Sequence, residues 1–326
     1  MNTALSSVPF PAARFIKEIG RGKKGARGIP RDDARQLYAA MLEGRVSDLE
    51  LGGLLLAMRI KGESVDEIAG FLEAAETSFP LLAAPEGPCA PVVIPSYNGS
   101  RQMPNLTPLL ALLLAREGVP VLLHGVSADP GRVTSAEILL ELGLAPAHDA
   151  AQAQERWRLR QPAFMPVEAL APRLAWMLDL RRILGVRNST HTLVKILQPF
   201  AGPALRLVSY THPEYLELLS AYFTGAAPAQ RGDAFLMRGT EGETVANAKR
   251  AQRILWFRQG QADILEERQE PVDELPPLPA ASDAATTAAW IRDALAGTVP
   301  VPQPIARQAE HCLRVARHLR DDPAPG

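Results

Sequence analysis

Between residues 31 and 80 the apolar positions recur at helical spacing, and Leu37, Met41 and Leu42 fall on one face. Two polar signatures punctuate this stretch. Ser47-Asp48-Leu49-Glu50 opens SDLELGGLLLAMRI, and Ser64-Val65-Asp66-Glu67 opens SVDEIAGFLEAAE. Both are capping boxes, in which the Ser side chain accepts from the third helical amide while the Glu returns to the cap amide. Pro80 to Pro95 is rich in Pro and Ala and reads as a linker. Beyond it the pattern changes to short apolar runs between helices. PVVIPSY (91–97) and VPVLLHG (119–125) read as buried strands around a helix at 105–118, and Thr134-Ser135-Ala136-Glu137 caps a helix ending at Gly143. Strand–helix–strand at this spacing is a βαβ unit and predicts a parallel sheet. LRLVSY (205–210) and DAFLMRG (233–239) are two further strands, with Thr211-His212-Pro213-Glu214 as the cap between them. Residues 165–200 read as helical and basic, returning to the helical subdomain, and 260–285 as an acidic, Pro-rich surface excursion. Closing helices are expected at 286–297 and 304–319. No internal repeat is evident.

The 326 residues suffice for two domains with a substantial core. Formal net charge is −1, so attraction to a charged partner has to come from local asymmetry. Cys89 and Cys312 stand far apart with no CxxC or metal spacing, which argues against a disulfide framework. MNTALSSVPF lacks the basic and apolar regions of a signal peptide, and the apolar run 106–115 is too short to span a bilayer. A cytoplasmic location and no membrane partner are the default expectation.

Residues 32–76, with the string GRVSD…KGES…EIAG, resemble the N-terminal helical domain of the anthranilate phosphoribosyltransferase family. Arg181-Arg182-Ile183-Leu184-Gly185-Val186-Arg187 is similar to that family's R-x-x-L-G-x-R segment. The resemblance covers most of the chain. It implies an α/β fold class: an all-helical domain at 1–82, joined by helices from about 165–200, and an α/β domain with a mostly parallel sheet at 90–326. It also implies a two-fold homodimer through the helical domains.

The family cradles phosphoribosyl pyrophosphate in a G-T-G-G-D loop after the first strand, where glycines admit phosphates close to backbone amides. Here that stretch is Tyr97-Asn98-Gly99-Ser100-Arg101 after Pro95 and Ser96; the Asp is absent, and Tyr97 adds bulk. Asn105 and Thr107 match the family's next element, between Pro104 and Pro108. The K-H-G-N signature has become Leu123-His124-Gly125-Val126, without the lysine. A cation lost beside a pyrophosphate removes charge-assisted bonds of about 1.5–3 kcal/mol each. The magnesium-binding Asp-Glu pair falls near Glu241 and Glu243, which are not adjacent. Three altered elements together imply an impaired donor site, with no catalytic residue assigned and no metal or cofactor; magnesium enters only under a transferase alternative. The segments 97–101, 191–192 and 238–243 are similar to a divergent bacterial branch of the family whose members bind nucleic acid.

Local charge agrees with that branch. Residues 14–35 carry eight cations against three carboxylates, including Arg21, Lys23, Lys24 and Arg27 in a Gly-rich loop. Residues 173–206 carry six against one, including Arg181, Arg182, Arg187, Lys195 and Arg206. Arg187, His191 and Lys195 recur every four residues and share a face if that stretch is helical. The plain alternatives are a solvated loop in the first window and arginines paired within the fold in the second. His124 reads as a structural residue at a strand end or a remnant of the family histidine. The four tryptophans read as core or interface anchors.

The leading expectation is a homodimer that binds DNA or RNA through its basic surface, largely without sequence preference. One rival is an active glycosyl or phosphoribosyl transferase using Arg101, Asn105, Thr107, Glu241 and Glu243. Another is a small-ligand sensor that keeps the cleft without turnover.

Overall fold

The computed structural model describes residues 8–22, 24–271 and 275–321. The chain divides into two compact units, Met1–Leu81 with Ala171–Leu197, and Leu82–Leu170 with Gln198–Gly326. The first unit is helical. Its helices are Ala13–Ile19, Arg31–Leu42, Asp48–Lys61, Val65–Thr77, Pro172–Asp179, Arg181–Leu184 and Thr190–Leu193. Both capping boxes form as the sequence predicts. The second does more than cap. The fully buried Glu67 carboxylate accepts from the Ser64 amide at 2.7 Å, from the Ile29 amide at 3.1 Å and from Lys61 Nζ at 2.7 Å. It therefore anchors the end of the basic N-terminal segment to the bundle, and its charge is paired and hydrogen-bonded as burial requires. Gly70 lets Arg31–Leu42 and Val65–Thr77 pack in direct contact, because a Cβ there would stand 2.2 Å from the Arg31 carbonyl oxygen. Tyr38 stacks on Phe71 and shares a 2.7 Å hydrogen bond with Thr190 Oγ1, which fastens the chain's second visit to the unit.

The second unit holds a seven-stranded sheet: β1 Val92–Ser96, β2 Val121–Gly125, β3 Ala163–Pro166, β4 Leu205–Tyr210, β5 Ala234–Arg238, β6 Ile254–Arg258 and β7 Gln261–Glu266. The order is β3-β2-β1-β4-β5-β6-β7. The first five strands run parallel and the last two antiparallel. β1 and β2 are buried at every position, as strands covered on both faces must be. The helices Thr107–Arg116, Ser135–Glu141, Ala284–Ala296 and Gln303–Asp321 contribute to the same apolar core.

Several sequence expectations need correction. β3, β6 and β7 lie in stretches read as helical, unassigned or excursion. β6 and β7 form a hairpin through Gln259 and Gly260, both at positive φ, the geometry of a two-residue primed turn. Thr211 does not cap the following helix: His212 stands at the cap without a side-chain bond, and Pro213 opens the helix with its preset φ. Arg187, His191 and Lys195 do not share one helix, because the helix there spans only Thr190–Leu193. Arg206 belongs to β4, buried with its guanidinium over the Phe223 ring, and leaves the exposed basic set. No helix among the described residues is long and apolar enough to cross a membrane.

Candidate functional site

In a parallel sheet the loops at the carboxyl ends of the strands form a crevice where the strand order reverses. Here that point lies at β1, with β2 on one side and β4 on the other. Gly125 ends β2 where any side chain would collide with β1, since a Cβ would lie 1.8 Å from the Ser96 carbonyl oxygen. The loop 97–103 after β1 and the turn 240–243 after β5 meet at this edge.

The turn is closed by reciprocal backbone bonds of 3.0 Å between Thr240 and Glu243, with Glu241 and Gly242 at φ 52° and 94°. It delivers both glutamates to the β1 loop. Glu243 is fully buried; its Oε1 accepts from the amides of Asn98 at 2.9 Å and Gly99 at 2.8 Å, and its Oε2 from Ser96 Oγ at 2.5 Å. Thr107 Oγ1 stands 3.5 Å from the same Oε2. Glu241 is partly exposed. Its Oε2 accepts from the amides of Arg101 at 2.8 Å, Gln102 at 3.1 Å and Met103 at 3.2 Å. Asn98 Nδ2 donates to the Gly242 carbonyl at 2.6 Å, and Ser100 exchanges backbone bonds with Val133. Asn105 Nδ2 donates to Ser135 Oγ at 3.1 Å, and Ser96 Oγ lies 2.8 Å from the same atom. Ser96 and Ser135 thus complete a polar network that sequence reading missed. The signal for Ser135 was the Thr134 capping box, which places it at the start of a buried helix, and Ser96 stood at the edge of the altered loop motif.

The opposite side of the loop is aromatic. The Tyr97 hydroxyl lies 2.9 Å from His124 Nδ1, and the two rings pack edge to face at 5.4 Å. His124 is fully buried, which lowers its pKa to about 3 and leaves the ring neutral, while burial pushes the Tyr97 hydroxyl well above its usual range. His124 Nε2 has no hydrogen-bond partner among the described residues. Leu123, where the family signature carries lysine, sits in the apolar core.

The resemblance places magnesium near the Glu241 and Glu243 carboxylates. Both carboxylates are committed to backbone amides and a hydroxyl, and the described residues contain no group of three or more His, Cys, Asp or Glu able to hold a metal ion.

The basic residues gather elsewhere. Lys23 lies outside the described residues. Arg21, Lys24 and Arg27 are exposed after the helix Ala13–Ile19, with Arg21 bonded to Glu18. Arg181, Arg182 and Arg187 are exposed in the same unit, and the Arg182 side chain is 85% accessible despite a 3.3 Å contact with Asp179. His191 is half-buried, with Nδ1 held 3.2 Å from the Asn188 amide. Its pKa falls to about 4, first through burial and then through the charges of Arg187, Arg181 and Lys195. His191 is therefore neutral at pH 7, with burial as the main cause of the fall and the three cations adding to it. Trp176, on Pro172–Asp179, is partly exposed near these arginines in sequence.

Comparison with known proteins places this geometry. The model for the helical bundle domain of a glycosyl transferase family matches residues 13–78. The uncharacterized protein YbiB of Escherichia coli is 49% identical over 302 residues, covering 92% of each chain. Anthranilate phosphoribosyltransferase of Methylobacterium radiotolerans is 31% identical over 180 residues, 55% of this chain and 50% of the enzyme. Among solved structures, anthranilate phosphoribosyltransferase from Thermus thermophilus superposes with a TM-score of 0.68 at 21% identity, over 95% of this chain and 90% of that one.

Proposed function

The chain belongs to the family of Escherichia coli YbiB, built on the anthranilate phosphoribosyltransferase fold, and from that premise we propose that it binds nucleic acid through basic surface of its helical unit and has lost the parent phosphoribosyl transfer. The observation that carries this reading is the set of exposed cations in one unit, Arg181, Arg182 and Arg187. Arg21, Lys24 and Arg27 add exposed charge from the same unit. Exposed cations release counterions on contact with a phosphate backbone, and read charge rather than base sequence. DNA and RNA both present that charge.

Two copies meet through the helical unit in this reading. Its support is an apolar stripe on the outer face of Asp48–Lys61, where Leu49, Leu56 and Ile60 are 88%, 48% and 72% exposed. Pairing of two units doubles the number of cations facing one nucleic acid.

Loss of transfer is supported by the donor edge. A transferase using Arg101, Asn105, Thr107, Glu241 and Glu243 needs those groups turned toward a ligand. Instead Asn105 bonds Ser135, Thr107 and Ser96 approach Glu243, and both glutamates hold amides. Leu123 supplies no charge. The reading is tested by two measurements on one preparation. Titration calorimetry with phosphoribosyl pyrophosphate and magnesium should show no heat of binding. An Arg181→Ala/Arg182→Ala/Arg187→Ala variant should bind a labelled DNA at least about tenfold more weakly, from charge-assisted contacts of about 1.5–3 kcal/mol each. Donor binding together with unchanged DNA affinity overturns it.

A further inference from the structure

The amides at 98–103 are an anion cradle that the chain fills itself. Five backbone N–H groups, those of Asn98, Gly99, Arg101, Gln102 and Met103, point at two carboxylates. Successive amides converging on one centre bind an anion by fixed partial charge, whatever supplies the anion. Three consecutive amides on one Glu241 carboxylate therefore mark an oxyanion position, with the carboxylate standing in for phosphate oxygens.

The two glutamates are not equivalent. Glu243 is fully buried and also carries Ser96, so it is part of the core of the loop. Glu241 is partly exposed, and its carboxylate accepts from the backbone amides of Arg101, Gln102 and Met103. It also sits at φ 52°, a conformation that costs a non-glycine residue and relaxes with glycine. The strain falls on the residue that fills the cradle. On the neighbouring loop, Arg132 donates to the Gly99 carbonyl at 3.2 Å, and the Arg101 guanidinium lies beside Gly131, near Asp129.

We propose that Glu241 is an internal plug, a carboxylate that occupies a latent phosphate position and keeps phosphorylated ligands out of the β1 loop. This rests on the reading above that the donor edge does not bind its parent ligand, and supplies a single removable cause for part of it. Taking the carboxylate away leaves three amide donors without an acceptor, a site for a phosphate or pyrophosphate group.

The probe is inorganic pyrophosphate, titrated calorimetrically without metal into the parent chain, Glu241→Gly and Glu241→Ala. Glycine removes the plug and accepts the positive φ; alanine removes the plug alone. The expected result is no detectable binding to the parent at millimolar pyrophosphate and a gain of at least tenfold in affinity for both variants, with the Arg101–Met103 amide resonances shifting on titration. Folded variants with no gain overturn the plug and leave the absence of donor binding standing. Unfolding of both variants also overturns it, because Glu241 is then a structural residue. Binding by the parent equal to that of the variants overturns both the plug and the closed donor edge.

Discussion

Single residues decide the chemistry of the donor edge. In the reading proposed above, Tyr97, Leu123 and the two glutamates each take the place of something a phosphate ligand needs: space, a cation, and free amides. Tyr97 and Leu123 were legible in the sequence, because they stand inside a recognisable motif. The role of Glu243 was not, since its amide partner Asn98 lies 145 positions away and no local pattern records that contact. The neutral histidines give a pH signature. His124 and His191 have folded pKa values of about 3 and about 4, below the ordinary 6.5 of an unfolded histidine. The unfolded chain therefore binds more protons than the folded one between those limits. The stability these residues confer is complete above about pH 6.5 and is lost as pH falls toward 4. Asp233 opposes this: burial raises its pKa to about 6, so its contribution is present at low pH and is lost as pH rises through 6. Denaturant unfolding at pH 5 and pH 7 should show His191→Gln losing less stability on acidification than the parent, by up to about 1.4 kcal/mol per pH unit for the one proton removed. An equal loss in both proteins removes His191 from the account.

Elements set where those residues meet. The strands visible in the sequence were β1, β2, β4 and β5, each a short apolar run covered on both faces. β7 was hidden because it is an edge strand, exposed over its first four residues and polar in composition. The 165–200 stretch was correctly basic, but its helices are short, broken at Gly185 in the left-handed region and again before Thr190. Its charge is therefore presented from short helices and turns rather than along one helical stripe. The register of β1 against β2 is the tightest constraint at the site, because Gly125 admits the Ser96 carbonyl where no Cβ fits. A Gly125→Ala protein should lose more than about 3 kcal/mol in denaturant unfolding, since the collision is with backbone that cannot step aside. A loss under about 1 kcal/mol means the strand ends are not held this closely.

For the whole molecule, the fold class followed from two patterns, helical spacing before the linker and βαβ spacing after it. Net charge near zero concealed the asymmetry between a helical unit carrying clustered cations and an α/β unit whose anion cradle is filled by its own carboxylates. Phosphate recognition in this account has moved from the loops of the sheet to the surface of the helices. The most direct test is the salt dependence of DNA binding by the intact protein, followed by fluorescence anisotropy from low to physiological salt. With about four phosphate contacts from each of two copies, the logarithm of affinity should fall against the logarithm of salt concentration with a slope near about −7. An affinity that does not change with salt contradicts it.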